Sequence, residues 1–109
     1  MRGQSWAIVA VLAIAIANTG SQAATLSSVN DPIPANTTFL AGQFTGATDV
    51  SIQVGAAPAT FCVAEAGGTD TNADGCVRTG GGSLTVGAPA ITTVAAGATV
   101  TVRFRVTID

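Results

Sequence analysis

The chain of 109 residues contains no histidine and no tyrosine, and only four of its residues are basic. Without histidine, the side chain that exchanges protons most readily near neutral pH is missing, and the serines have no partner base. Six acidic residues against four arginines give a net charge of −2, which provides no basic patch for nucleic acid. We therefore expect no enzymatic activity, no catalytic residue, no nucleic-acid partner and no small-molecule substrate.

Charged residues as a whole are scarce, at 9% of the chain, whereas glycine occurs 13 times. Alanine, threonine and valine supply much of the remainder. β-Branched residues interrupted by glycines are typical of a sheet protein with many turns, and the apolar composition argues against disorder. At this length the chain forms one domain at most.

The closing segment, ATVTVRFRVTID at 98–109, alternates strictly between apolar and polar residues. This pattern predicts a half-buried strand, because successive side chains of a strand point to opposite faces. One face carries threonines and arginines. The inward face is predicted to carry Val100, Val102, Phe104, Val106 and Ile108.

Further strands are predicted upstream, at 38–44 with a glycine bulge at its centre, and at 50–54, 60–64, 83–86 and 91–94. Residues 31–36 (DPIPAN) carry two prolines, which fix the backbone and remove two donors. This segment is predicted to be a stiff loop and not an internal strand. Short strands with turns at this spacing predict an all-β fold, an antiparallel β-sandwich of about seven strands.

The segment IAIANTGSQAATL, Ile14–Leu26, admits two interpretations. In the first, residues 1–23 are a secretory signal peptide, with a basic start, an apolar run over 7–17 and a cleavage site after Ala23. In the second, isoleucines alternate with alanines in a β-strand that ends in a turn at 18–20. The apolar run is far shorter than the roughly 20 residues of a membrane-spanning helix.

The chain resembles the DUF11 (conserved repeat) domain, an Ig-like unit of bacterial and archaeal surface proteins. In that family an apolar strand ends in an Asn-Thr-Gly turn, an Asp-Pro-x-Pro loop follows, and the closing strand comes after a turn of small residues and glycine. These three motifs lie in the same order here, within LAIAIANTGSQAATLSSVNDPIPANTTF (Leu12–Phe39) and VAAGATVTVRFRVTID (Val94–Asp109).

The resemblance implies an Ig-like β-sandwich over residues 8–109, preceded by a lead-in over residues 1–7. It favours the strand interpretation of the first apolar run over the signal peptide. The family also carries a further strand before this one, and residues 1–7 are too short to supply it in full. We therefore expect a sandwich that lacks a full first strand, in an extracellular or cell-surface protein.

The segment DTNADG, Asp70–Gly75, fits the calcium-loop pattern D-x-[DN]-x-[DN]-G. The twelfth position carries Gly81 in place of the bidentate glutamate, and no flanking helices are predicted, so this is not an EF-hand. The alternative is a polar loop of Asx-turn formers that binds nothing. We therefore expect either no cofactor or Ca²⁺, with oxygen ligands from Asp70, Asn72, Asp74 and Glu65.

Cys62 and Cys76 are the two cysteines of the chain. An even number in a surface-type domain favours a disulfide, which would tie together the two ends of the acidic loop. The alternative is a pair of buried free thiols.

These observations favour a non-enzymatic spacer or interaction module of a cell-surface or secreted protein, in contact with neighbouring repeat domains or identical subunits. Two alternatives stay open. The first is a subunit of a self-assembling filament or adhesive layer, because an incomplete sheet invites a donor strand. The second is a calcium-dependent binding module, which rests on the acidic loop alone.

Overall fold

The structure, a computed structural model, describes residues 8–26, 28–79 and 82–108. The predicted lead-in, residues 1–7, lies outside them. A short 3₁₀ turn lies at Thr45–Ala47, and all the other regular elements of the described residues are strands. The strands are β1 (Ile8–Ala17), β2 (Ala24–Thr25), β3 (Ser28–Pro32), β4 (Thr37–Leu40), β5 (Val50–Val54), β6 (Thr60–Cys62), β7 (Cys76–Thr79), β8 (Ser83–Gly87), β9 (Thr93–Val94) and β10 (Thr99–Ile108).

Every pairing between these strands is antiparallel, which confirms the predicted all-β antiparallel fold. The strands are more numerous than predicted, partly because β2 and β9 are separate segments of two residues each. The described residues include no helix that could span a membrane.

Strand β10 is the centre of the larger sheet. It pairs with β1 along one side, from Ile8 opposite Ile108 to Ala17 opposite Thr99. On its other side it pairs with β5 over its first half and with β4 over its second half, and β6 pairs with β5. The alternation of the sequence sets which face is inward. The fully buried residues of β10 are Val100, Val102, Phe104 and Val106.

Strands β3, β8 and β7 form a second sheet in that order, and β2 pairs with β9 in a separate ladder. The two larger sheets share one core. The larger sheet contributes Val50 and Ile52 to it, and the smaller sheet contributes Leu84 and Val86. Side chains of the two inner faces therefore pack against each other, as in a two-layer sandwich. The Ig-like assignment stays a prediction.

The loop predicted over residues 31–36 is wrong at its start, because Asp31 and Pro32 belong to β3. β3 is an edge strand that pairs with β8 alone among the described strands. The amide of Ile33 donates to the Gly82 carbonyl at 3.1 Å. Since backbone groups alternate in direction along a strand, the nitrogen of Pro32 faces the free edge. A proline there removes no hydrogen bond from the sheet.

The predicted strand over 38–44 is wrong in its second half, because β4 ends at Leu40. Gly42 is not a bulge within a strand. It lies in the following loop with a φ of 71°, a backbone conformation that favours glycine. Its amide donates to the buried carboxylate of Asp49 at 2.7 Å. β6 and β9 are also shorter than predicted, and the sequence pattern does not predict β7.

One side of β1 has no partner strand among the described residues. At the end of the ladder with β10, the amide of Asn18 donates to the Ala98 carbonyl at 2.9 Å. Because backbone groups alternate in direction, the even-numbered residues of β1 bond to β10 and the odd-numbered ones face outward. The free edge of β1 therefore consists of the backbone groups of Val9, Val11, Ala13, Ala15 and Ala17.

Two alanine-to-proline substitutions in β1 test this direction. Ala10→Pro removes an amide that bonds to β10 and leaves a β10 carbonyl without its donor, so we expect a loss of about 2–4 kcal/mol in the free energy of unfolding. Ala13→Pro removes an amide that faces outward, so we expect a loss of about 1 kcal/mol or less. Urea unfolding of both variants measures the difference. Equal losses would contradict the assignment of the free edge.

Candidate functional site

The predicted disulfide between Cys62 and Cys76 is present. It joins the end of β6 to the start of β7, and therefore links the two sheets. Both cysteines are buried, and their Cα atoms lie 6.1 Å apart. Closing a loop of about 15 residues stabilises the fold by about 3 kcal/mol in the chain-entropy model.

The disulfide closes one side of the sandwich together with backbone hydrogen bonds. The amide of Arg78 in β7 donates to the Glu65 carbonyl at 2.8 Å. The amide of Gly68 donates in turn to the Arg78 carbonyl at 2.8 Å. The outer edge of β7 is thus covered by the segment that follows β6, so it cannot accept another strand.

The structure brings the four predicted calcium ligands together in the loop between the cysteines. One carboxylate oxygen from each of Glu65, Asp70 and Asp74 lies within 4.8 Å of the others. The side-chain amide of Asn72 donates to the Asp74 carboxylate at 3.0 Å. The loop therefore gathers three carboxylates, a donor type that calcium prefers, whereas Asn72 presents its amide nitrogen to the Asp74 carboxylate and its amide oxygen accepts from the Asp74 backbone amide at 3.3 Å.

The same carboxylates bind backbone amides of the loop. Asp74 accepts from Val63 at 2.8 Å and from Cys76 at 3.0 Å, so it fixes both ends of the loop beside the disulfide. Asp70 accepts from the Gly75 amide at 2.8 Å. Glu65 likewise accepts a backbone amide within the loop. These hydrogen bonds explain the shape of the loop without a metal ion.

The charges of the loop are not balanced by the nearest arginine that the structure describes. The Nε atom of Arg78 donates to the Ala64 carbonyl at 3.1 Å, and its guanidinium lies over the ring of Phe39. Each carboxylate oxygen that accepts one amide keeps a second lone pair. The geometry is therefore compatible with both interpretations, and calcium binding stays a prediction.

The melting temperature separates these interpretations. If the loop binds calcium in the folded state alone, millimolar calcium must raise the melting temperature relative to a chelator, because a ligand of the native state stabilises it. Asp70→Asn lowers the charge of the cluster and should reduce that rise. An identical melting temperature in calcium and chelator, for the unmodified chain, would contradict calcium binding. Magnesium at the same concentration controls for ionic strength.

Gly75, the last residue of the calcium-loop pattern, is required by close packing. Its φ is 91°, and a Cβ atom there would collide with the backbone of Gly87 and lie 2.9 Å from the Ala90 nitrogen. The amide of Gly87 also donates to the Gly75 carbonyl at 2.8 Å. Two backbone segments therefore approach each other so closely that only glycine fits.

Gly67 provides a matched control, since its φ is 97° but a Cβ atom at that position would have no neighbour within 4 Å. We expect Gly67→Ala to lower the free energy of unfolding by about 1–2 kcal/mol, the backbone strain alone. Gly75→Ala adds a collision with backbone atoms, so we expect it to lose at least about 3 kcal/mol. Chemical denaturation measures both values. Similar losses would contradict the close approach.

The opposite side of the sandwich is bounded by β1 and β3, and their free edges differ. β3 is short, Pro32 removes an outward amide, and Asp31 lies on its inner face opposite the buried Leu84. Partial burial raises the pKa of the Asp31 carboxyl, because the charged form loses water. Proline and an inward charge are two of the devices that protect sheet edges from pairing.

The β1 edge has none of these devices. Its ten residues, IVAVLAIAIA, include no charge and no proline, and they pair with β10 without interruption. Val9 and Val11 are 51% and 53% exposed on the outer face. Near the end of β1 an apolar cleft of about 260 Å³ opens, lined in part by Ile16, Leu26 and Val94. Long apolar edges of this kind readily pair with other strands.

We therefore regard the free edge of β1 as the candidate functional site. The alternation of its sequence predicts the strand itself, but not its position at an edge. The signal in the sequence is the absence of charge and proline over ten residues, which an internal strand and an unprotected edge strand share. Pairing partners alone distinguish them, and these depend on the fold.

No family model matches the chain, and no curated protein or solved structure matches it either. The DUF11 resemblance thus rests on its three motifs, and membership in that family stays a prediction.

Proposed function

We propose that the chain is a non-enzymatic interaction module of a secreted or cell-surface protein, joined to its neighbours by strand addition at the free edge of β1. The observation that carries this proposal is the unprotected edge of ten uncharged residues. Strand addition takes its affinity from main-chain hydrogen bonds. The odd-numbered residues of β1 offer such groups in an unbroken row.

The disulfide supports the proposed location. Disulfides form and persist in oxidising compartments, and this one is buried between the two sheets. The DUF11 resemblance favours the same location. A cross-linked sandwich with few charged groups suits a structural role outside the cell, and the absence of histidine makes acid–base catalysis unfavourable.

The direction of the first and last strands favours an interaction module over a spacer. Ile8 lies opposite Ile108, so the chain enters β1 and leaves β10 at the same end of the larger sheet. A spacer in a linear row of domains is best served by entry and exit at opposite ends. Contact through the side of the sandwich, at β1, avoids this geometric restriction.

Binding of an unrelated strand tests the proposal. We use a lysine-flanked peptide of alternating threonine and valine, and follow the backbone amides of the chain by NMR. Strand addition should slow hydrogen exchange at the outward amides of Val9, Val11 and Ala13. Ala13→Pro removes one of these donors and should weaken binding by at least about tenfold. The matched control is the same peptide with a central proline, which should not bind.

Slowed exchange that spreads evenly over the chain, or that survives Ala13→Pro unchanged, would count against strand addition at β1. Slowed exchange confined to β3 would place the site at the other edge. Because the Ala13→Pro variant is expected to retain its fold, the loss of binding is separable from unfolding.

A further inference from the structure

We infer that the strand which occupies the free edge of β1 is β1 of a second copy of this chain, paired antiparallel about a two-fold axis at Ala13. This inference rests on the proposed function and names its partner. The dimer would join two larger sheets into one continuous sheet, with the two β1 strands at its centre.

The register follows from which backbone groups face outward. In an antiparallel pair, outward-facing residues must lie opposite each other. A two-fold axis at Ala13 places Val9 opposite Ala17 of the second copy and Val11 opposite Ala15. All the outward residues of β1 then have partners. A shift of the axis to Leu12 would place Ala17 opposite residue 7, outside the described residues, whereas the axis at Ala13 pairs all of the described outward residues.

Charge favours an identical strand as the occupant. β1 carries no charge, so a basic or acidic segment gains nothing from it, whereas a second β1 presents the same apolar side chains. Two-fold pairing is also the commonest form of self-association. The second edge of the sandwich cannot supply the partner, because β3 carries Pro32 and Asp31.

The arginines of β10 do not oppose this pairing. Arg103 lies opposite Ala13 on the outer face, so three strand spacings, about 14 Å, separate it from Arg103 of the second copy. That distance exceeds the Debye length of about 8 Å at physiological ionic strength. Arg105 leans away from β1, since it donates to the Gln43 carbonyl and lies over Phe44.

The size of the contact sets its strength. A strand of ten residues is about 34 Å long and a sheet about 10 Å thick, so the paired edges bury about 700 Å² in total. This is less than the roughly 1,200–2,000 Å² that stable complexes bury, so the contact is of the weak, transient class. We therefore expect a dimer that forms reversibly at micromolar to millimolar concentration.

Single cysteines test the register. The native cysteines form a buried disulfide, so one introduced cysteine is the accessible thiol of the chain. Under mild oxidation Ala13→Cys should form a disulfide-linked dimer roughly tenfold faster than Ala57→Cys, an exposed control away from β1. Val9→Cys and Ala17→Cys should each cross-link slowly alone, but rapidly with each other when mixed.

Several results would overturn the inference. One is equal cross-linking of Ala13→Cys and Ala57→Cys. Another is rapid self-linking of Val9→Cys, which would indicate a parallel pair. An intact mass equal to that of a chain beginning at Ala24 would show that β1 has been removed. If the threonine–valine peptide binds but Ala13→Cys does not self-link, strand addition stands and the second copy fails as occupant. If neither occurs, both proposals fail.

Discussion

The pairing of β10 with three other strands is the interaction on which the rest of the structure depends. β1 lies on one side of it, and β4 and β5 share the other. The alternation of β10 buries Val100, Val102, Phe104 and Val106 completely, so one strand sets the inner face of the larger sheet. Ile108, the last residue of the strand and predicted to face inward, is 44% exposed. The ring of Phe104 stacks on the ring of Phe39, with 5.7 Å between their centroids, and the guanidinium of Arg78 in the smaller sheet lies over the Phe39 ring. A cation–π contact thus joins the sheets across the core.

The two sides of the sandwich are built on opposite principles. On the side of β6 and β7, a disulfide, a covered strand edge and an acidic loop fix the sheets together. The Asp74 carboxylate, bound to amides on either side of the loop, adds to this closure. On the side of β1 and β3 no such link joins the sheets among the described residues. A partner strand at β1 would leave both the closed side and the ladder with β10 undisturbed, because it would use backbone groups that face away from β10.

Much of the fold could be predicted from the sequence, and the failures have physical reasons. β10 was predictable because its alternation is long and its polar face carries arginine and threonine. The end of β4 and the existence of β7 were not, since strands of four residues carry little periodicity to separate them from turns. The start of the loop predicted over residues 31–36 was wrong because proline excludes an internal strand, but it is tolerated in an edge strand where its nitrogen faces the free edge, as Pro32 does in β3. The disulfide followed from the even number of cysteines in a surface-type domain, and the grouping of Asp70 and Asp74 from the spacing of the calcium-loop pattern. The edge position of β1, in contrast, is a property of the topology.

The two interpretations of the first apolar run lead to the same side of the molecule. If β1 stays in place, its own edge is the unpaired one. If residues 1–23 were removed as a signal peptide, the whole β1 side of β10 would lose its partner, from Thr99 to Ile108. Fully buried valines and Phe104 would then lose the strand that flanks them, so a replacement strand would be required to complete the sheet. The proposed strand addition would use this side of the larger sheet in both cases: at the free edge of β1 if β1 stays, and at the exposed edge of β10 if β1 is removed.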